Sequence, residues 1–418
     1  MQPFPDLIDG LVAISLSPSI LLTDYIALGG LGAAYLNSGL ALLIMTLICR
    51  KVKADLNGCL IASLFMVVGF SFFGKNLINI GPLILGGFLY LRLHGYSASA
   101  YMGKICFSTG IAPLVSFVLF ALPWPLSIRI PVSLLIGMVV GYITIPLSES
   151  MIHFHQGYNL YNVGFTLGGI GLAVAGAFRM FAISINPIRL VFEGNDQAII
   201  RSLLIFCLVI LVYGLVINRS FSGYARILKQ TGHGGDFTKL ADKGLILINM
   251  ALLGLICLVF VKISQGTISG PVLGSIWSVI GFGANGKHPR NILPVLCGVF
   301  LASALNIYDP TGTEAIMISL FATTIAPVAG EFGFFVGLVA GFLHKAIATN
   351  VGFLHGGMNL YNNGLAGGLV AGIIVPIVKD WRLGKKILKG SENEEKLVIS
   401  AFADESLADG LSSVERKG

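Results

Sequence analysis

Long apolar runs recur along almost the whole chain and constrain its fold more than any other feature. A helix needs ~20 apolar residues to cross the ~30 Å hydrocarbon core of a bilayer. Charged residues make up only 11% of the sequence, against ~25% in soluble domains, so a water-facing surface cannot enclose these runs. The sequence therefore predicts an all-α polytopic membrane protein. The runs with the length of a span are 28–49, 103–122, 130–147, 159–178, 199–218, 244–264, 333–349 and 359–378. Shorter runs, broken by glycine or proline, are 57–72, 78–93, 267–283, 291–305 and 313–328.

Two blocks of this sequence occur twice. Segment 58–89 matches 270–301 at a constant offset of 212, and segment 137–164 matches 337–364 at an offset of 200. The matches fall on glycine, proline and polar positions, which indicates an internal duplication rather than shared apolarity. The alternative is an old duplication that is kept only for packing. Matched pairs include Gly69-Phe70 with Gly281-Phe282, Gly74-Lys75 with Gly286-Lys287, Asn79 with Asn291, Pro82 with Pro294, Asn37 with Asn249, and Ile111-Ala112-Pro113 with Ile325-Ala326-Pro327 at an offset of 214.

Basic residues cluster at 50–53, 219–243 and 379–389, and the positive-inside rule places these clusters in the cytoplasm. Run 28–49 then crosses inward and its counterpart 244–264 crosses outward, so the two repeats are inverted. We expect a bacterial inner-membrane protein with a cytoplasmic C-terminus. The predicted organisation is an N-terminal segment 1–24, a first repeat 25–182, a linker with a connecting helix 183–220, a second inverted repeat 221–378, and a tail 379–418 that is disordered after 390.

Segments 78–93 and 291–305 are too short to cross a bilayer comfortably and contain proline and glycine. Such backbone is tolerated at membrane depth only inside protein or beside water, so we predict two broken or re-entrant half-helices. Their N-terminal ends would favour an anion. Alternatively, the two lysines extend to opposite membrane interfaces. The residues predicted at these ends are Lys75, Asn79, Lys287 and Asn291.

The motif His-x-Gly-x-Asn-Leu-Tyr-Asn-x-Gly is the most specific polar signature and occurs once in each repeat. On a helix, its histidine and two asparagines would share one face at i, i+4 and i+7. Amides offer donors and acceptors to a polar solute, and histidine can titrate near neutral pH. Hydrogen bonding between helices, with no solute contact, is the structural alternative. The predicted solute-binding residues are His155, Asn159, Tyr161, Asn162, His355, Asn359, Tyr361 and Asn362.

An acidic, hydroxyl-rich stretch at 309–314 has no acidic counterpart in the first repeat. A carboxylate inside a membrane domain is costly and points to ion or proton coupling. Asp309 and Glu314 are therefore the candidate coupling residues, for protons or Na⁺. A channel would need neither, and the stretch could equally be an aqueous loop.

Residues near the half-helices carry a resemblance to a known family. Tyr35-Leu-Asn37 precedes Pro82 and Phe88 in the first repeat, and Asn249 precedes Leu293-Pro294 and Phe300 in the second. This pattern resembles the urea-transporter group of inverted-repeat membrane proteins, which carry a Gly-Tyr-Asn-type helix followed by a Leu-Pro-x-x-Thr-x-Pro-Phe signature. The resemblance implies that architecture, with a path between the repeats. The signature threonine is replaced by Leu85 or Cys297 and the second proline by Gly87 or Val299, which argues against urea as the solute.

The expected function is a transporter or channel for a small polar or anionic solute. We expect no enzymatic activity, cofactor or metal site, and the expected partners are the lipid bilayer and other copies of the chain, with no nucleic acid. Two alternatives stay open. One is a membrane subunit of a flavin-dependent electron-transfer complex, although Thr311-Gly-Thr313-Glu314 lacks the Ser-Gly-Ala-Thr context that carries covalent flavin. The other is a membrane scaffold that transports nothing.

Overall fold

Helices form nearly all the regular structure in the computed structural model, which describes residues 2–186 and 188–383. Within those residues, nine helical stretches are long and apolar enough to cross a membrane. The predicted all-α class and each of the eight long runs are thereby confirmed, and the ninth stretch comes from the shorter run 313–328. The nine stretches are Tyr25–Lys51, Ala98–Phe120, Leu126–Met151, Asn162–Met180, Gln197–Asn218, Lys243–Ile263, Thr313–Phe332, Phe334–Val351 and Asn362–Leu383.

Seventeen α-helices follow one another along this part of the chain. They are α1 Phe4–Leu16, α2 Tyr25–Lys51, α3 Gly58–Phe70, α4 Gly81–His94, α5 Ala98–Ser108, α6 Ala112–Phe120, α7 Leu126–Met151, α8 Asn162–Met180, α9 Gln197–Asn218, α10 Tyr224–Leu228, α11 Lys243–Ile263, α12 Gly270–Gly281, α13 Pro289–Leu305, α14 Thr313–Phe321, α15 Ala326–Phe332, α16 Phe334–Val351 and α17 Asn362–Leu383. Residues up to Gly372 form one unit, and the rest of α17 belongs to a second. The predicted disorder after residue 390 lies outside the described residues.

Four of these helices are short and occupy matching positions in the two repeats. Helices α3 and α4 have 13 and 14 residues, and α12 and α13 have 12 and 17. At ~1.5 Å per residue each is shorter than a ~30 Å hydrocarbon core. A non-helical break separates the two helices of each pair. The break between α3 and α4 contains Lys75, and the break between α12 and α13 contains Lys287.

An asparagine from a neighbouring helix holds each of these breaks. Asn37 of α2 donates from Nδ2 to the carbonyl oxygens of Ser71 and Lys75, at 2.7 and 2.8 Å. Asn249 of α11 makes the equivalent bonds to Gly283 and Lys287, also at 2.7 and 2.8 Å. The paired asparagines therefore satisfy carbonyls that a break in a helix leaves without an intrahelical partner.

Paired glycines bring the short helices against long ones. A Cβ at Gly141 of α7 would overlap the carbonyl oxygen of Leu83 in α4, and a Cβ at Gly341 of α16 would overlap that of Val295 in α13. Close approach of this kind is what Gly-x-x-x-Gly spacing permits. The sequence has this spacing at Gly137 and Gly141 and again at Gly337 and Gly341.

The N-termini of α3 and α12 are capped from the opposite repeat. Asp24 precedes α2 and accepts from the backbone N–H of Gly270, the first residue of α12, at 3.0 Å. Asp236 lies 212 residues after Asp24 and accepts from the N–H of Gly58, the first residue of α3, at 2.9 Å. Side-chain acceptors of this kind satisfy the free N–H groups at a helix start. Each repeat thus completes a helix of the other.

Candidate functional site

Two buried lysines lie at sequence-equivalent positions in the breaks of the short helices. Lys75 and Lys287 are both fully shielded from solvent, with 0% exposure. Each ammonium stands 5.1 Å from the ring centroid of an equivalent phenylalanine, Phe70 or Phe282. Within residues 2–186 and 188–383, neither lysine forms an ion pair with a carboxylate. Neither side chain therefore extends to an interface, and each places a cation inside the protein, where an uncompensated charge is costly.

Lys287 is satisfied by side chains of its own chain. Its Nζ donates to the hydroxyl of Tyr161 at 2.7 Å and to Oγ1 of Thr323 at 2.8 Å. The ammonium also stands 4.5 Å from the centroid of the Tyr161 ring. The Thr323 hydroxyl donates a hydrogen bond to the carbonyl oxygen of Leu320 at 2.7 Å. This lysine is held by two hydroxyl oxygens and two aromatic faces.

Lys75 faces the equivalent phenylalanine but makes no equivalent hydrogen bonds. Its Nζ has no hydrogen-bond acceptor in the described part of the chain, and the hydroxyl of Tyr361, the counterpart of Tyr161, has no partner either. Tyr361 is nevertheless in the corresponding place, with its ring centroid 4.5 Å from that of Phe70, against 4.8 Å between Tyr161 and Phe282. Two buried residues that both contact the Phe70 ring therefore have unpaired polar groups.

One residue difference between the repeats lies beside the two tyrosines. The ring of Tyr361 packs directly on Gly110, where a Cβ would overlap its Cε2 atom. The residue 214 positions later is Thr324, whose hydroxyl donates to Oδ1 of Asn159 at 2.6 Å and accepts from the N–H of Tyr161 at 3.0 Å. The two tyrosines are therefore fixed by different neighbours.

The repeated histidine motif is not helical, which corrects the predicted single face at i, i+4 and i+7. Residues 152–161 form turns between α7 and α8, and Asn162 is the first residue of α8. His155 Nε2 lies 2.9 Å from Oδ1 of Asn162, whose Nδ2 donates to the carbonyl oxygen of Ser148 at 2.7 Å. The helix is interrupted because Gln156 and Gly157 take positive φ values of 51° and 79°.

The second copy of the motif repeats this hydrogen-bond chain. His355 Nε2 lies 2.9 Å from Oδ1 of Asn362, whose Nδ2 donates to the carbonyl oxygen of Ala348 at 3.0 Å. In both copies the histidine and the asparagine tie the loop to the end of the preceding helix. These hydrogen bonds stay within the protein, which favours the structural alternative for these four residues.

Asn159 and Asn359 connect the two copies of the motif reciprocally. Asn159 donates from Nδ2 to the carbonyl oxygen of Gly364 at 2.9 Å, and Asn359 donates to that of Gly164 at 3.4 Å. Each also accepts on Oδ1 from the N–H of the tyrosine two residues later, at 3.1 and 3.0 Å. The asparagines thus orient Tyr161 and Tyr361, which are the motif residues that meet the lysine sites.

Asn79 and Asn291 stabilise the breaks rather than facing open space. Asn79 donates to the carbonyl oxygen of Gly74 at 2.9 Å and accepts from the N–H of Asn76 at 2.9 Å. Asn291 makes the same two bonds, to Gly286 and from His288, at 2.8 and 2.9 Å. Both predicted residues lie near the start of α4 or α13, and Asn291 accepts there from the N–H of His288, the N-cap residue of α13.

Each copy of the histidine motif lines a cavity. The first cavity has a volume of about 550 Å³ and the second about 460 Å³. They share sequence-equivalent walls, since residues 152, 153, 156, 157 and 162 line the first and residues 352, 353, 356, 357 and 362 line the second. Asn285, two residues before Lys287, and Leu160, next to Tyr161, also line the first. Arg179, Arg189 and Glu314 line the second.

The two predicted coupling acids are exposed. Asp309 lies in the loop before α14 and accepts from the N–H and the hydroxyl of Thr311, at 2.9 and 2.7 Å. These hydrogen bonds hold the pKa of the Asp309 carboxyl below its usual value. Glu314 lies in the first turn of α14 and faces the second cavity. The position of Asp309 favours the alternative of an aqueous loop.

Sequence reasoning singled out the lysines and tyrosines separately but missed that they meet. It also missed Thr323 and the Gly110–Thr324 difference. The signals were present, because Phe70 and Phe282 lie inside the matched block and the offset of 214 extends to Gly110 and Thr324. Within the described ranges, no group of three or more histidine, cysteine or acidic residues is placed to hold a metal ion.

Comparison with known proteins gives a family without a function. No curated protein and no solved structure matches the chain significantly. A protein family matches residues 5–180 and 216–380, which together make up most of the chain and span both repeats. The chain therefore belongs to the family described as protein of unknown function (DUF1576).

Proposed function

We propose that this protein is a membrane transporter or channel for a small anionic solute, with a path at the interface of its two repeats. The observation that carries the proposal is the pair of buried, sequence-equivalent lysines without carboxylate partners. Ionisable groups inside a membrane domain are costly and are retained mainly where they serve a solute or ion path. A cation without a protein counter-charge is suited to an anion.

The proposal includes an inverted arrangement of the repeats. Reciprocal contacts, in which residue i meets j′ and j meets i′, are the signature of two-fold related surfaces. The Asp24–Gly270 and Asp236–Gly58 pairs have this form, as do the contacts of Asn159 and Asn359. With the basic segments at 50–53 and 219–243 on the cytoplasmic side, the two-fold axis would lie in the membrane plane.

Such an arrangement places a solute site near the bilayer midplane, where the repeats meet. This is the architecture that the urea-transporter resemblance implies, in a bacterial inner membrane with a cytoplasmic C-terminus. The two motif-lined cavities would then open toward opposite sides. In this proposal the path between the cavities would pass Tyr161 and Tyr361, whose ring centroids are 6.1 Å apart. A solute that passes from one cavity to the other would meet the lysines behind these rings.

Anion flux into proteoliposomes tests the proposal. We expect Lys75→Met and Lys287→Met each to lower the flux of a transported anion by roughly tenfold or more, since about 1.4 kcal/mol of lost anion binding corresponds to that factor. Methionine preserves length and apolar packing while removing the charge. The matched control is Lys104→Met, which removes an exposed lysine paired with Glu149 at 2.6 Å.

The solute screen covers small inorganic anions, small carboxylates and neutral amides, with purified full-length protein. The proposal is contradicted if a solute is transported at the wild-type rate by the Lys75→Met/Lys287→Met double variant. It is equally contradicted if only neutral solutes move.

A further inference from the structure

The two lysine sites differ in what their polar groups bind, although their frames are equivalent. At Lys287, the ammonium is satisfied by the hydroxyls of Tyr161 and Thr323. At the other site, Lys75 Nζ and the hydroxyl of Tyr361 are both fully buried and both unpaired. A buried polar group without a partner costs about 1–3 kcal/mol, and a charged one costs more. Both residues contact the Phe70 ring, and two unpaired groups beside one ring indicate an interaction supplied from outside the chain.

We propose that Lys75 and Tyr361 form a binding site for a small monovalent anion, and that at Lys287 the Tyr161 hydroxyl serves as the acceptor in place of an anion. This rests on the proposed function, whose solute it defines. At Lys287 the tyrosine oxygen accepts from the ammonium, so the protein itself supplies the acceptor that an anion supplies at Lys75. The Tyr361 hydroxyl can donate a second hydrogen bond to such an anion.

The surroundings of Lys75 limit the size and charge of the ligand. The ammonium faces the Phe70 ring, which packs edge-on against Tyr361 at an interplanar angle of 75°. Gly74 lies against the side chain of Leu360, so the break is closed on that side as well. Burial of Lys75 and Tyr361 on all sides favours a ligand of few atoms over a bulky one. One lysine charge is neutralised by one negative charge, so a halide, nitrate or small monocarboxylate fits and a dianion does not.

The residue difference at Gly110 explains why the two sites are not the same. The ring of Tyr361 rests where a side chain at position 110 would stand. The counterpart Thr324 instead holds Asn159 and the backbone of Tyr161. Gly110 is therefore a positioning residue for Tyr361, and a larger residue there would displace the ring and its hydroxyl.

Isothermal titration of the full-length, detergent-solubilised protein with sodium nitrate, formate and chloride tests the site, with sodium gluconate as the bulky reference anion. We expect one of the three small anions to bind the wild-type protein. Lys75→Met should weaken binding by about tenfold or more, equivalent to about 1.4 kcal/mol. Lys287→Met should cause a clearly smaller loss, and the exposed control Lys104→Met should leave binding unchanged.

Two further variants keep the test valid if Lys75→Met does not fold. Tyr361→Phe keeps the ring and removes the hydroxyl, and should weaken anion binding more than Tyr161→Phe. Gly110→Ala leaves Lys75 intact and should also weaken binding, because its Cβ displaces the Tyr361 ring. Equal losses in Lys75→Met and Lys287→Met, or equal losses in the two tyrosine variants, would overturn the assignment.

The outcomes separate this site from the proposed function. Anion flux with equal effects of the two lysines keeps the transporter and rejects the special role of Lys75. Specific binding at Lys75 without flux keeps the site and rejects transport. Absence of binding by nitrate, formate and chloride to the wild-type protein rejects the site whether or not another solute is transported.

Discussion

At the scale of single residues, the buried polar groups divide into those that are satisfied and those that are not. Each histidine of the motif is joined to its asparagine by a hydrogen bond, with both His–Asn distances at 2.9 Å. The Lys75 ammonium and the Tyr361 hydroxyl are incomplete. A satisfied buried network rigidifies a structure, whereas an unsatisfied group marks a place where something further binds. We therefore separate a structural role for the histidines from a solute role for the lysines.

Removal of one motif asparagine should cost stability. Asn362→Ala breaks the bonds to His355 and to the carbonyl oxygen of Ala348, leaving buried groups unpaired. We expect a loss of about 1–3 kcal/mol, seen as a lower midpoint of thermal unfolding. Asn350→Ala, at an exposed helical position, is the matched control and should change little. Equal midpoints for Asn362→Ala and the wild type would contradict a structural role.

The two acids should differ in their effect on the pH dependence of transport. Hydrogen bonds from Thr311 lower the pKa of Asp309, so this carboxyl remains ionised through neutral pH and releases no proton there. The stability that it gains from those bonds is present above its unfolded pKa and is lost as pH falls through the lowered value. Asp309→Asn should therefore leave the flux profile between about pH 6 and 8 unchanged. If coupling involves an acid in this stretch, Glu314→Gln should alter that profile. A flattened profile in Asp309→Asn alone would contradict this assignment.

At the scale of elements, glycine pairs decide which helices can touch. The contacts of Gly141 with Leu83 and of Gly341 with Val295 join a long helix to a short one in each repeat. No side chain fits at these crossings, so the spacing of the glycines fixes where the helices cross. The short helices depend on these contacts because they are too short to span a bilayer by themselves.

A methyl group at such a crossing should be destabilising. Gly141→Ala places a Cβ on the carbonyl oxygen of Leu83, and overpacking of this kind costs about 1–3 kcal/mol. Gly169→Ala is the matched control, since α8 leaves open space around that position. Alanine is the better helix former, so the control should be neutral or slightly stabilising. Thermal unfolding of both variants measures the difference, and the same midpoint in both would contradict close packing at Gly141.

Most helices could be predicted from composition, because a run of ~20 apolar residues in a chain with few charges has few alternatives to a helix. The conformation of the histidine motif could not be predicted in this way, because a spacing of i, i+4 and i+7 is compatible with a helix and does not require one. The deciding signal was Gly157, matched by Gly357, which takes a positive φ of 72°. The Lys287–Tyr161 contact joins residues 126 positions apart, and nothing in the local sequence indicates such a pair.

At the scale of the whole molecule, the two repeats share the residues around the buried lysines and differ at many other positions. Both repeats contain the buried lysine, the phenylalanine, the tyrosine and the asparagines described above. Gly110 of the first repeat, however, corresponds to Thr324 of the second. Because the two lysine sites differ, Lys75 lacks a hydrogen-bond partner whereas Lys287 has two. We therefore expect a binding stoichiometry of one anion per chain.

The reciprocal capping of α3 and α12 bears on how the protein is made. The N–H of Gly58 is bonded by Asp236, which leaves the ribosome almost two hundred residues later. The first repeat therefore cannot reach its final form while it is the only part of the chain in the membrane. Biogenesis must keep α3 in a provisional position until the second repeat arrives, and the two repeats then mature as one unit.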